Sequence, residues 1–358
     1  MNTVDLKIND QKVQVEKGTP IIEAAKEIGI DIPALCYHPE LSMHGACRVC
    51  VVENKKTGEL IASCANPVTD GMEILTNSEK AESARKLNLE FILANHPNDC
   101  MTCDSGGSCK LQELVYECEI TEPRFGTLEE SVYEIEQKNP FIEFDPNKCV
   151  LCGQCVRVCK EIQVSRALEF SERGADAKVM TSFGDDITDE DSSCVHCGQC
   201  VEICPTSALN YIPSKGKGRE YNFDDKVQTT CGYCGVGCQL ELRIKDNKVV
   251  EVGSVYQDGN PNPMGETCVK GRFAYDFINS EDRLTKPLIK ENGRFVEASW
   301  EEALDFAAEK LTEVKEKYGG SAVGNLTSAR CTNEENYLMQ KFMRAVIGSN
   351  NVDHCAHL

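Results

Sequence analysis

"CVLCGQCVRVC" (149–159) and "CVHCGQCVEICP" (194–205) repeat one spacing, C-x2-C-x2-C-x3-C, in a chain of 358 residues that holds 22 cysteines. Cysteine at that density is either a disulfide framework or a set of metal ligands. Disulfides need an oxidising compartment, and the N-terminal "MNTVDLKINDQKVQ" has neither the apolar core nor the cleavage site of a secretory signal. A cytoplasmic protein with its cysteines on metal is therefore expected. Hydrophobic residues make up 41% and charged residues 27%, as in soluble protein of two or three domains, and no apolar run is long enough to span a bilayer. The 38 basic against 58 acidic residues give a net charge of -20, which argues against a nucleic-acid partner, because phosphate is bound by Lys and Arg.

The repeated run resembles the bacterial two-cluster ferredoxins, in which the fourth cysteine of each run ligates the other run's cluster. That resemblance implies one [4Fe-4S] cluster on Cys149, Cys152, Cys155 and Cys204, and another on Cys194, Cys197, Cys200 and Cys159. Pro205 follows the last cysteine of the second run, whereas Lys160 stands at that place in the first, a departure that bears on the turn more than on ligation. Two structural zinc knuckles are the alternative.

Toward the N-terminus, Val4-Leu6-Ile8 and Val13-Val15 alternate as strands, and "TPIIEAAKEIG" (19–29) has a helical pattern that glycine stops. Cys36, Cys47, Cys50 and Cys64 follow as C-x10-C-x2-C-x13-C. Two strands, a helix and a cysteine loop suggest a small β-grasp ferredoxin fold. The order resembles the N-terminal [2Fe-2S] domain of complex I-type subunits, iron hydrogenases and multi-cluster formate dehydrogenases, with a zinc ribbon as the alternative. Next, a helical run "SEKAESARKLNLEFILANH" (78–96) leads into His96, Cys100, Cys103 and Cys109, with Gly106 and Gly107 able to let the backbone close around a cluster. This resembles the [4Fe-4S] site of the same families held by one histidine and three cysteines. A neutral histidine replaces one thiolate charge there and raises the potential.

Toward the C-terminus, Cys231, Cys234, Cys238 and Cys268 are spaced C-x2-C-x3-C-x29-C around two alternating segments, Leu240-Leu242-Ile244 and Val249-Val250-Val252. The loop "GNPNPMGETCVKGRF" (259–273) resembles that of the [4Fe-4S] domain which opens molybdopterin oxidoreductases. In that family the lysine two residues after the last ligand lies between cluster and pterin, a role the resemblance assigns to Lys270. After residue 272 the pattern becomes α/β. Trp300, Leu304, Ala307, Leu311 and Val314 share one helical face expected to cover a sheet, with Ser299 as cap and Gly319 as stop. "SAVGNLTSA" (321–329) reads as a strand, and Thr332 with Glu335 forms a capping box before the next helix. A strand, a small-residue turn and a helix N-terminus can receive a phosphate, although many such turns hold none.

From residue 283 onward the chain resembles the start of the pterin-binding domain of formate dehydrogenase catalytic subunits. The expected fold class is α+β multidomain: a β-grasp [2Fe-2S] ferredoxin domain (1–78), a helical [4Fe-4S] domain with one-histidine, three-cysteine ligation (79–119), a two-cluster bacterial ferredoxin domain (138–212), a molybdopterin oxidoreductase [4Fe-4S] domain (224–282) and an incomplete α/β molybdopterin-binding domain (283–358). The resemblance implies one [2Fe-2S] cluster, four [4Fe-4S] clusters and, in the full-length protein, molybdenum or tungsten on bis-molybdopterin guanine dinucleotide. It places the metal ligand, a cysteine or selenocysteine followed by a catalytic histidine, immediately after Leu358, as though a selenocysteine codon had been read as stop. The full-length protein is then expected to oxidise formate to CO2, and this polypeptide alone to be inactive and, with apolar faces uncovered, poorly soluble. Electrons would pass from the Cys231 group through the paired clusters to the His96 and Cys36 groups, and then to a flavin-containing NAD(P)-linked subunit, a ferredoxin or a hydrogenase subunit. A complex I-like electron-transfer subunit with a vestigial pterin fold is the alternative. An iron hydrogenase fits less well, because "CGYCGVGC" (231–238) follows the repeat where its catalytic domain should begin. Cys118 and Cys331 are expected to be small buried hydrophobes, and Cys355 a neighbour of the missing ligand.

Overall fold

A computed structural model describes residues 3–128, 132–181 and 192–355. The final residues, on which the expectation about the ending at Leu358 falls, lie outside the described residues. In the first unit β1 (Thr3–Ile8) and β2 (Gln11–Glu16) form a hairpin around Asn9 and Asp10, both at positive φ, as a two-residue turn that follows the strand twist requires. Val4, Leu6, Ile8, Val13 and Val15 are buried on one face, against Ile21, Ile22, Ala24 and Ala25 of α1 (Ile21–Lys26). Three strands that alternation did not reveal, β3 (Val51–Asn54), β4 (Leu60–Ala62) and β5 (Glu73–Leu75), complete a sheet of order β2-β1-β5-β3-β4, with β1 and β5 parallel.

Helix α2 (Glu79–Leu93) begins at Ser78, whose hydroxyl accepts from the Ala81 amide, and packs with α3 (Lys110–Glu117) around Leu89, Leu111 and Leu114. Buried Arg85 donates to the carbonyls of Val49, Val51 and Thr76 and so fastens α2 to the first unit.

The repeat folds as a repeat. β6 (Ile142–Phe144), α4 (Gln154–Glu161) and β7 (Leu168–Ser171) are followed by β8 (Lys178–Thr181), α5 (Gln199–Glu202) and β9 (Leu209–Tyr211). Antiparallel pairs β6–β9 and β7–β8 close the two halves on each other. Then β10 (Asp225–Thr230), β11 (Gln239–Lys245) and β12 (Lys248–Ser254) make an antiparallel sheet, against which α6 (Val269–Phe273) packs.

The last unit holds a hairpin of β13 (Leu288–Glu291) and β14 (Arg294–Glu297), then α7 (Trp300–Tyr318), β15 (Asn325–Thr327), α8 (Asn333–Phe342) and β16 (Val352–His354). β15 and β16 pair in parallel across α8, a βαβ crossover. Ser299 caps α7 and Thr332 caps α8, each reciprocated by a glutamate, Glu302 and Glu335. The expectation that α7 covers a sheet does not hold among the described residues. None of its side chains is buried, and Trp300 and Leu304 are 72% and 61% exposed. Amphipathic spacing marks a face without supplying a surface for it. Cys331, expected to be buried, is exposed at the turn before α8, whereas Cys118 is half-buried against the α2–α3 core.

Candidate iron–sulfur centres

The thiols of the first group meet. Hydrogen bonds from the Cys47 and then the Cys64 thiol hold Cys36 well below the ordinary cysteine range, and Cys50 is lowered by its own bond from Cys64. Cys36, Cys50 and Cys64 are buried and Cys47 half-buried. The same bonds raise the donors Cys47 and Cys64, so two of the four thiols favour thiolate, the form that binds metal, and two hold the protons.

His96 is buried, and burial lowers its pKa. Its Nδ1 lies 2.9 Å from the Pro97 carbonyl. A carbonyl can only accept, so the proton sits on Nδ1 and Nε2 keeps its lone pair. Among the described residues that Nε2 has no hydrogen-bond partner, a condition that costs free energy unless something binds there. His96, Cys100 and Cys109 line one cavity, and burial pushes the Cys109 thiol up to about 11, with Cys103 and Cys100 adding to the rise. The loop is tight: a Cβ on Gly106 would stand 2.4 Å from the Cys100 carbonyl oxygen and 3.1 Å from that of Cys103. Gly106→Ala is therefore expected to abolish assembly of this centre and spare the rest, read as the loss of one cluster's iron and of one electron-paramagnetic signal. Full iron content in that variant would mean that the loop adapts.

In the repeat, Leu151 and His196 occupy equivalent positions and both have positive φ (50° and 52°), as do Gly153 and Gly198 (67° and 74°) at the N-termini of α4 and α5. Alternating left-handed residues turn successive amides toward one point, the concavity found at anion and iron–sulfur sites. The fourth cysteines cross over. Cys159 lines the same cavity as Cys194, Cys197 and Cys200. Burial pushes Cys149 up to about 12 and Cys197 up to about 11. The nearby charge that adds to Cys149 is Cys204, and Cys194 and Cys159 add to Cys197.

Cys231, Cys234, Cys238 and Cys268 also lie together. Burial raises Cys238, and the other three add to it. The Cys231 amide donates to the Cys238 carbonyl at 2.8 Å. Lys270 is exposed on α6, two residues after Cys268. Arg330, in the turn before α8, stands over the ring of Tyr233 at 5.2 Å and so ties the last unit to this cysteine loop.

Among the described residues no three His, Cys, Asp or Glu side chains converge on one ion. A cluster, with irons and sulfides between its ligands, does not ask for that convergence. Two buried arginines that no spacing rule singles out join the groups. Arg157 of α4 donates to the carbonyls of Cys36 and Cys152. Arg272 of α6 reaches the carbonyl of Cys197. The only advance signal was a charged residue inside an otherwise apolar run, as in "CVRVC" (155–159).

Comparison with known families follows the same order. Five family models match in succession: a 2Fe-2S iron-sulfur cluster binding domain (1–79), the NADH-ubiquinone oxidoreductase-G iron-sulfur binding region (85–124), a 4Fe-4S dicluster domain (148–208), the molybdopterin oxidoreductase Fe4S4 domain (224–280) and molybdopterin oxidoreductase (283–358). The chain thus carries, in succession, iron–sulfur domains and the opening of a molybdopterin oxidoreductase domain, the make-up of an iron–sulfur electron-transfer module of the molybdopterin oxidoreductase type. It is similar to the NADPH-Fe(3+) oxidoreductase subunit alpha of Geobacter sulfurreducens, at 38% identity over 355 residues, covering 99% of this chain and 40% of that one. A G-type NADH-quinone oxidoreductase subunit of Rhizobium meliloti is 38% identical over 352 residues, covering 98% and 40%. YrhE of Bacillus subtilis, provisionally named a formate dehydrogenase, is 35% identical over 396 residues, covering 99% and 40%. The chain thus spans about two-fifths of the length of these curated relatives. Among solved structures it resembles a chain of an NAD+-reducing [NiFe]-hydrogenase in the H2-reduced state, with TM-score 0.51 and 31% identity over 60% of this chain and 88% of that one. No helix among the described residues is long and apolar enough to cross a membrane.

Proposed function

We propose that this chain is the iron–sulfur portion of a formate dehydrogenase catalytic subunit. In that reading Cys36, Cys47, Cys50 and Cys64 hold a [2Fe-2S] cluster, and the groups of His96, Cys149, Cys194 and Cys231 each hold a [4Fe-4S] cluster with the partners already named. The full-length protein would bind molybdenum or tungsten on bis-molybdopterin guanine dinucleotide, which supplies the two-electron chemistry by which formate becomes CO2. The residues of this chain receive those electrons one at a time and carry them away, with Lys270 beside the first centre.

The observation that carries the reading is a succession of four cysteine groups joined by contacts. It runs from the loop touched by Arg330, through Arg272 to the second run, across the repeat, and on through Arg157 to Cys36. Cys155 and Cys200, one from each run, lie within electrostatic reach of each other in the middle. On the acceptor side the reading takes a flavin-containing NAD(P)-linked subunit, a ferredoxin or a hydrogenase subunit. Support comes from the NAD+-reducing hydrogenase likeness and from the region shared with complex I-type proteins.

The same region, with the Rhizobium relative, favours a second reading: a G-type NADH-quinone oxidoreductase component whose pterin fold is unused. Metal analysis and formate-dependent viologen reduction by the full-length product decide between them. Molybdenum or tungsten with pterin and formate oxidation are expected. Iron alone, with clusters reduced by NADH through a partner and untouched by formate, would overturn the formate assignment in favour of the second reading.

A further inference from the structure

Arg157 lies in the middle of α4, between Cys155 and Cys159, and only 7% of it is exposed. Its Nε donates to the Gly153 carbonyl at 3.2 Å, which fixes the guanidinium against its own helix. From there Nη1 reaches the Ser42 carbonyl at 2.5 Å, and Nη2 reaches two more, Cys36 at 2.5 Å and Cys152 at 3.4 Å. Those last two carbonyls belong to cysteines of different groups, one in the N-terminal sheet domain and one in the repeat. The surrounding contacts hold the two units in the same register. Gln154 Nε2 donates to the Leu35 carbonyl at 2.6 Å, and the Glu161 carboxylate accepts from the amide and the hydroxyl of Ser42 at 2.8 and 2.5 Å. One face of α4 is thus given over to the segment 35–42, with Arg157 at its centre.

We propose that Arg157 is a positioning residue that couples the Cys36 centre to the Cys149–Cys152–Cys155–Cys204 centre, both by joining their ligand carbonyls and by setting the potential of each. This rests on the proposed assignment of those cysteines to clusters. A hydrogen-bonded route of backbone and guanidinium runs from one ligand residue to the other, so a single electron lost by one centre and gained by the other crosses without a gap, and no proton need move. The guanidinium is permanently charged and shielded from water. Placed between two anionic centres, it stabilises the reduced, more negative state of both and raises their potentials. Lysine keeps the charge but offers a point donor in place of a planar fork, so it cannot serve three carbonyls and its own helix at once.

The test uses the full chain loaded with iron and sulfide, in wild type, Arg157→Gln and Arg157→Lys. Wild-type protein without a [2Fe-2S] signal would refute the cluster assignment itself, separately from the role of Arg157. With clusters present, Arg157→Gln is expected to move both midpoint potentials downward in a redox titration followed by electron paramagnetic resonance, while the other three centres keep theirs. Arg157→Lys is expected to hold both potentials close to wild type yet slow photoinitiated transfer between the two centres by roughly tenfold to a hundredfold, the scale on which small misplacement acts. Unchanged potentials and rates in both variants would overturn the proposal. So would loss of the [2Fe-2S] centre in both, which would make Arg157 a fold determinant only.

Discussion

Replacing Cys159 with alanine is expected to cost the chain the centre of the other run, at Cys194, Cys197 and Cys200, and to leave the centre at Cys149, Cys152 and Cys155 in place. Cys159 sits on the last turn of α4, far enough along the helix to leave the loop that holds the first three cysteines of its own run. Its sulfur accepts from the Ala167 amide at 3.2 Å and faces the cavity that Cys194, Cys197 and Cys200 also line. The reciprocal change, Cys204→Ala, is expected to empty the first centre, because Cys204 adds to the rise of Cys149, Cys152 and Cys155. Removing a thiolate from a tetrahedral iron site leaves one iron open to water and oxidation, so the expected loss is of one whole [4Fe-4S] equivalent of iron and sulfide. Reference spectra come from Cys197→Ala and Cys152→Ala, one centre each. The reduced Cys159→Ala spectrum should match the first. A match to the second would mean that each run closes on itself.

The cysteine-rich segments were legible in the sequence because a local spacing repeated twice needs no distant information to be recognised, whereas the crossing came only from the resemblance to two-cluster ferredoxins. The β1–β2 hairpin and α1 were legible for a similar reason: alternation and helical period write the buried face directly into Val4, Leu6, Ile8, Ile21 and Ala25. Strands β3 to β5 were missed. They are three or four residues long, and β3 buries two adjacent residues, Val51 and Val52, so no alternation marks it. In β10, Val227 is 40% exposed and flanked by polar residues, and its edge pairing with β11 comes from the partner strand rather than from its own pattern. The apolar stripe of α7 shows the reverse failure, in which a face is visible but its covering is not. Arg157 and Arg272 were invisible for a third reason. Their partners are carbonyl oxygens, which every residue has, so only the docking of one unit on another reveals that a charge belongs there.

Substituting Arg272 with methionine is expected to destabilise the β10–β12 unit by about 3–5 kcal/mol, the range found when one partner of a buried ion pair is removed. The side chain of Arg272 is fully buried. Nη1 donates to the Val252 carbonyl at 3.1 Å, and Nη2 donates to the Ser254 hydroxyl at 2.7 Å and the Gly265 carbonyl at 3.1 Å. Nε lies 3.5 Å from the Cys197 carbonyl, and the guanidinium is 3.8 Å from the Glu202 carboxylate. Methionine fills similar volume but satisfies none of these acceptors, and carbonyls on three different segments would be left without this donor in a water-poor space. Glu202 would not be abandoned, since Arg243 stands 3.6 Å away and the Tyr211 hydroxyl and Ser254 amide donate to it at 3.0 and 2.8 Å. That remaining support keeps the expected cost within the range and away from complete unfolding. Because the chain is multidomain, the measurement is local: native-state hydrogen exchange of the β11 and β12 amides, whose opening free energy should fall by the stated amount while β1 and β2 amides hold theirs. Pairing the change with Glu202→Gln separates charge from hydrogen bonding. If the ion pair dominates, the double variant loses less than the sum of the singles, because residues in one network do not add. If the carbonyl bonds dominate, the losses add. Unchanged exchange in Arg272→Met would show that the packing of Tyr275 on Leu240, Val249 and Val252 suffices for this sheet, and that the buried guanidinium contributes no net stability.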